Sequence, residues 1–365
     1  MHQAVTSLFL VGSLALMTAC GDDGPPSGPD AGDGGTDGGI CTTEHHPPDA
    51  SGCTADATDY APGNGAYEPC ISDRGHYVPI ESTTSSIGRV RAFEEIAALL
   101  FDPDGIPSTA DFTRARQIYQ EDEGLDSRVV RRYDPHFEVP AGTDCTAPDV
   151  PAAFPDYCVG PARLQPAALG ALNAGIAGES PQANAGRLEG TLLSFLYVST
   201  FKESLTCTTS PKDCDSAWAY YSGGEAARCG VGLSRYLAEV DPYAHDRAWD
   251  GALALRCWRD LDPAEVAVDL ALRDRARAQY DRALIDGVAR LVQFRITQAG
   301  LSTDNGKKSF YWGSATTLGA ILDHEMSARS PTDAAALREE LAHESAADAD
   351  LARAVEAIDA VFDCP

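Results

Sequence analysis

Basic residues are scarce in this sequence: 28 Lys and Arg stand against 55 Asp and Glu, a net charge of -27. A field of that sign repels phosphate backbones and anionic lipid surfaces, so nucleic acid is excluded as a partner and a cation becomes the natural counterpart. Alternating runs rich in Val, Ile and Thr are missing too, which removes the usual signal of half-buried strands. No cysteine pair is spaced C-x-x-C, so a zinc knuckle has no support. Catalytic signatures are incomplete wherever they begin. Gly232-Leu233-Ser234-Arg235-Tyr236 lacks the closing glycine of a nucleophile elbow, and Gly306-Lys307-Lys308-Ser309 lacks the glycine-rich lead of a phosphate loop. His324-Glu325 and His343-Glu344 each lack the second histidine of a zinc-peptidase helix, and the Asp30 to Asp37 repeats lack the spacing of a calcium loop. With no internal repeat of fixed period, a helical solenoid is excluded as well. The expectation is a protein that is not an enzyme.

What is present begins with an export signal. Residues 1–19 run from a short polar start through an apolar stretch, Leu8 to Met17, to small residues before Cys20. That stretch is about half the length a membrane-spanning helix needs, so it reads as a removable signal peptide. Leu16-Met17-Thr18-Ala19-Cys20 resembles a bacterial lipobox, which implies lipidation at Cys20 and a membrane contact through that anchor. Residues 20–40 are expected to form a flexible acidic tether, because Gly21 to Gly39 is built from Gly, Asp, Pro, Ser and Thr with a single Ala and cannot bury surface to offset its ordering entropy. Localisation at the bacterial cell envelope follows, facing the periplasm or the exterior.

Eleven cysteines less the lipid-bearing Cys20 leave an even ten, the parity of a fully paired exported domain. Cys145 with Cys158 and Cys207 with Cys214 are close enough in sequence for local bridges, while Cys364 is placed to staple the last helix to something distant. Residues 41–85 are rich in Cys, Pro and Gly and show no period, so an irregular, disulfide-pinned lead-in is expected. Residues 86–365 carry apolar residues at helical spacing and predict an all-α helical bundle domain. The predicted helices are Ile87 to Phe101, a second opened by Ser108 and Asp111 and stopped at Gly124, Leu188 to Leu205, Ala264 to Ala299, Ser314 to Ala328, and Thr332 to Phe362.

Acidic residues on apolar faces are the candidates for chemistry. Glu189 and Glu203 share one face of the Leu188 helix, but fourteen residues of helix separate them by about 21 Å, too far to hold one ion together. Either an arginine pairs with each, or each joins ligands from other helices. Glu344 and Asp348 interrupt the apolar stripe of the last predicted helix, where a buried unpaired carboxylate would cost several kcal/mol. His324 shares a face with Thr317, Ala320 and Ile321, which points it inward beside Glu325.

The segment Asp213-Cys214-Asp215-Ser216-Ala217-Trp218-Ala219-Tyr220-Tyr221-Ser222-Gly223-Gly224 resembles the Asp-Glu-Ala-Trp-Ala-Phe-Tyr-x-Gly stretch of the low-iron-inducible, iron-assimilating periplasmic proteins of algae and bacteria. Asp111 to Tyr119, Glu189 to Glu203 and Leu253 to Trp258 are similar to other segments of that family, in the same order. Ser216 departs from it by replacing the second of two adjacent acids. The resemblance implies an extracytoplasmic iron-binding lipoprotein that assists metal uptake, with an uptake-system protein as partner. Hard ferric iron suits carboxylate and phenolate oxygens, with imidazole as a nitrogen ligand. The metal-ligand candidates are accordingly Glu189, Glu203, Asp215, His324 and Glu325. Two alternatives are carried beside this one: an imelysin-like metal-dependent peptidase relative, whose Gly-x-His-x-x-Glu signature is missing here, and a non-catalytic envelope interaction module.

Overall fold

A computed structural model describes residues 40–41, 56, 58–81, 84–121 and 124–362. The expected signal peptide, the Cys20 anchor and Cys364 lie outside these residues. The body that runs from Gly38 to Pro365 is a single compact unit. Among the described residues it is all-helical, apart from one short antiparallel pairing in which β1 (Ile40–Cys41) meets β2 (Cys229–Gly230).

Helices α1 (Ser85–Leu100) and α2 (Thr109–Gln120) form where the sequence predicts them. The start of α2 is fixed by a reciprocal cap: the Ser108 hydroxyl accepts from the Asp111 N–H (3.2 Å), and Asp111 accepts from the Ser108 N–H (2.8 Å). Two single turns, α3 (Asp126–Val129) and α4 (Val150–Ala153), lead through a wide turn at Gly160–Leu164 into α5 (Gln165–Ile176). Then comes the central helix, α6 (Pro181–Thr206), which starts earlier than its apolar pattern suggested and is buried on nearly every side from Asn184 to Ser204. A helix covered on so many sides sits in the middle of the bundle, and its buried polar groups must find partners there. It packs against α5, α7 (Lys212–Ser222) and α11 (Asn305–Leu318). The approach to α11 is close because Gly186 lies against the Phe310 carbonyl and Gly190 against that of Ser314, where a Cβ would sit only 1.9 Å and 2.5 Å from those oxygens.

After the short α8 (Leu233–Val240), α9 (Pro242–Leu261) and the long α10 (Leu270–Leu301) pack against each other and complete the core. Part of the acidic excess is spent here on starting helices. Asp241, Asp269 and Asp304 each cap a helix by accepting backbone N–H groups of its first turn. The predicted Ser314 to Ala328 helix is instead broken: α11 ends at Leu318, a 3₁₀ turn covers Gly319–Leu322, and α12 (Asp323–Arg329) follows.

The predicted Thr332 to Phe362 helix is likewise two helices, α13 (Pro331–Leu341) and α14 (Leu351–Asp359). Two observations account for the break. The Trp312 indole N–H donates to the His343 carbonyl (3.0 Å), claiming a group at the C-terminal end of α13. Asp350 then restarts the chain as a cap on the Arg353 N–H, and buried Glu340 accepts from the Asp350 N–H (2.7 Å) and pairs with Arg353 (2.6 Å). Glu344 and Asp348 consequently lie in an exposed connection and not on a buried stripe, so the problem of burying them does not arise.

Three disulfides are described: Cys145–Cys158 and Cys207–Cys214, both as expected from spacing, and Cys70–Cys257. Cys229 is disulfide-bonded as well. The third bridge pins the lead-in to α9 across 187 residues of sequence. Tyr77 reinforces that docking by stacking on Trp218 at 4.4 Å. Among the described residues no helix is long and apolar enough to cross a membrane. The disulfides accord with an oxidising, extracytoplasmic compartment.

Candidate functional site

Four of the five predicted ligands are engaged by protein partners, and Glu189, Glu203 and Asp215 lie in three sets separate from one another. Glu189, almost fully buried on α6, accepts from Arg295 of α10 (3.0 Å) and from the Ser314 hydroxyl of α11 (2.6 Å). Burial raises its pKa and Arg295 opposes the rise. Glu203, at the other end of α6, pairs with Arg132 (2.7 Å) and Lys202 (3.3 Å); burial works against its charge, but the two cations hold its carboxyl below the usual range. Arg132 also lies over the Tyr220 ring, 4.9 Å from its centre, so Glu203 and Tyr220 do meet at a common guanidinium.

Asp215 does something different. Its carboxylate accepts from the Tyr77 hydroxyl (3.0 Å) and from the backbone N–H groups of Ile80 (2.9 Å) and Glu81 (2.7 Å). It therefore clamps the lead-in onto α7, and burial raises its pKa in spite of these three donors.

His324 and Glu325 are brought together, and with residues that sequence reasoning missed. They line a small cleft with His136, Tyr197, Asp281, Ile285 and Ile321. Its walls come from the segment after α3, from α6, α10 and the 3₁₀ turn, and from α12. The opening leaves about 10 Å³ for the centre of a water-sized sphere, room for one water or a bare ion.

His136 is the centre of this cleft. Its Nδ1 donates to Asp134 (2.6 Å) and its Nε2 to Asp281 (3.1 Å), while its ring stacks on Phe201 at 3.8 Å. Burial alone would lower its pKa, but the two aspartates overrule burial and lift it to about 10, so the ring is an imidazolium. The His324 ring stands 5.3 Å from that of His136 and 5.1 Å from Phe137. Glu325 reaches back to Arg329 (2.6 Å).

Further along α10, Asp286 is pushed up to about 6, chiefly by burial, with Arg329, Arg282 and Arg290 opposing. The Tyr197 hydroxyl is raised well above its ordinary range, by burial first and then by the fields of Asp281, Asp134, Glu325 and Asp286. All four carboxylates act on the Tyr197 phenol, and two of them, Asp134 and Asp281, hold His136; carboxylate, imidazole and phenol are donor types suited to a hard or borderline cation. They do not stand as a finished coordination shell, since no group of three or more His, Cys, Asp or Glu among the described residues is arranged to hold a metal ion.

Sequence signals for the missed residues were faint. His136 lies in Asp134-Pro135-His136, and Asp281 is one acid among many on α10, 145 residues away from it. Nothing in their spacing announces that they meet. No protein-family model, curated protein or solved structure matches this chain.

Proposed function

We propose that the body is an extracytoplasmic cation-binding module, held at the cell envelope through Cys20, whose cargo is iron and whose site is the His136–His324 cleft. The observation that carries this reading is the convergence, from distant segments, of two imidazoles 5.3 Å apart with Asp281 and Glu325 in an opening sized for one ion. In this account His136 and Asp281 are the first ligands, and a cation takes the place of the proton between them. His324 and Glu325 then turn inward to complete the shell, Glu325 leaving Arg329. Metal binding of this kind competes with protons and strengthens as pH rises.

The resemblance to iron-assimilating proteins supports the choice of cargo, and the acid-rich surface supports attraction of cations toward it. Delivery to an uptake-system protein completes the proposed role. Glu189, Glu203 and Asp215 act in this reading as internal ties and not as ligands. A non-catalytic interaction module is the second reading, favoured by the lack of a ready-made shell among the described residues.

The test is a titration of the metal-free, oxidised chain with ferric and ferrous iron, manganese and zinc, comparing the parent with Asp281→Asn and His324→Ala. Saturable one-to-one binding that weakens at least tenfold in each variant is expected. Binding of none of these metals, or binding indifferent to both substitutions, would overturn the reading.

A further inference from the structure

A second cleft lies between the first half of α6, the exposed face of α11 and the connection from α13 to α14, with a volume of about 450 Å³. That size lies within the range of small-molecule pockets. Asn305, Lys308, Ser309, Trp312, Gly313 and Thr316 repeat at steps of three and four along α11 and form one wall. Gly313 keeps that wall low: a Cβ there would meet the Ala183 carbonyl at 2.6 Å and the Arg187 side chain at 3.3 Å.

Two cations of this cleft are left without an acid partner. Arg114, Arg163, Arg338 and Arg353, all well exposed, each find a carboxylate, and Lys307 pairs with Asp104. Lys308, its neighbour in sequence, and Arg187 across the cleft meet no carboxylate among the described residues; the Arg187 guanidinium has only a 3.4 Å contact to the Asn184 side chain. Arg187 and Lys308 thus place two positive charges on one cavity with neither tied to a carboxylate.

The third wall adds donors. The backbone N–H groups of Glu344, Ser345 and Ala346 have no acceptor among the described residues, although Ala346 is buried. Unused amides in a turn attract anions. One carboxylate, that of Glu344, also borders the cleft, beside His343.

We infer that this cleft binds a small organic oxyanion, a carboxylate- or phosphate-bearing metabolite, with Arg187 and Lys308 gripping the charged group. Arg187 supplies a planar fork suited to two oxygens and Lys308 a movable point charge. Hydroxyl and amide groups of Ser309, Thr316 and Asn305 are available to the rest of the ligand. The site is separate from the His136 cleft and shares no lining residue with it.

The experiment is calorimetric titration of the full, oxidised, metal-free chain with succinate, citrate and inorganic phosphate, using neutral succinamide as the control. Saturable binding of at least one of the three anions is expected, with no binding of succinamide. Affinity should fall at least tenfold in Arg187→Gln and in Lys308→Gln, and stay within twofold in Lys307→Gln, whose ammonium is already paired with Asp104. Thermal melts of the variants verify that each remains folded, since both cations are at the surface. A response to phosphate alone, lost in the same two variants, still supports an oxyanion site. If none of the three anions binds, if succinamide binds equally well, or if both variants bind like the parent, the inference falls.

Discussion

Removing the carboxylate of Glu189 should be among the most damaging single changes this protein can suffer. Glu189 is 1% exposed and Arg295 is 8% exposed, so Glu189→Ala leaves a guanidinium in the core without its counter-ion. Breaking a buried pair in this way costs about 3–5 kcal/mol. The rings of Tyr236, Phe294 and Tyr311 lie 5.5–5.6 Å from the Arg295 guanidinium and offset part of the loss, which places the expected cost near the lower end, about 3 kcal/mol. The Ser314 hydroxyl would also lose its acceptor, adding about 1 kcal/mol.

Urea unfolding followed by circular dichroism reads this as a lower midpoint with an unchanged slope. The double variant Glu189→Leu with Arg295→Met removes both charges and should recover most of the loss, because a packed apolar pair of similar volume needs no desolvation of ions. The reasoning is refuted if Glu189→Ala costs less than about 1 kcal/mol, or if the double variant is no more stable than the single one.

Other consequences are equally specific. Asp215→Ala strands the buried Tyr77 hydroxyl and two backbone donors near the surface, and should cost about 2–3 kcal/mol and expose residues 77–81 to protease, whereas Asp215→Asn, which keeps an acceptor, should cost less than half as much. Gly186→Ala places a methyl group against the Phe310 carbonyl and should destabilise by about 3 kcal/mol, while Gly170→Ala, on an open face of α5, should stabilise by about 0.5–1 kcal/mol in the same thermal melts.

His245 is buried, accepts from the Tyr221 hydroxyl (2.8 Å), and has its pKa lowered below 6.5, chiefly by burial. Below pH 6.5 the unfolded chain takes up a proton that the folded chain refuses, so stability falls with falling pH. The slope is about 1.4 kcal/mol per unit until the folded value is reached. Parallel denaturation series from pH 7.5 to 5 should show a shallower acid loss in His245→Gln than in the parent.

Local chemistry was the legible part of the sequence. Ser108 with Asp111 announced the start of α2, because a cap depends only on residues three apart. The two local disulfides were readable for the same reason, their partners being 7 and 13 residues apart. Helix α9 escaped detection because it is buried on all sides while carrying His245, Asp246, Arg247, Asp250, Arg256 and Arg259, so no apolar stripe marks it. Such a helix is legible only once the ion pairs that satisfy it, such as Arg247 with Asp250, are seen.

The last predicted helix failed in the opposite way. Its stripe of Leu337, Leu341, Leu351, Val355 and Ile358 is real, but Glu340 and Trp312 fold the chain back between the two halves. At the candidate site, His324 drew notice from its spacing to Thr317, Ala320 and Ile321, and it does line the cleft although the chain changes from α11 to a 3₁₀ turn before it. His136 and Asp281 were not readable, since their meeting depends on how α6, α10 and the segment after α3 pack.

The central claim, that a cation occupies the cleft between His136 and His324, is tested most directly by anomalous diffraction at the iron edge from crystals of the oxidised chain soaked with iron. The account predicts one strong anomalous peak within bonding distance of His136 Nε2 and Asp281, with His324 or Glu325 turned toward it. A peak at Glu189, Glu203 or Asp215 instead, or none at full soaking concentration, would contradict it.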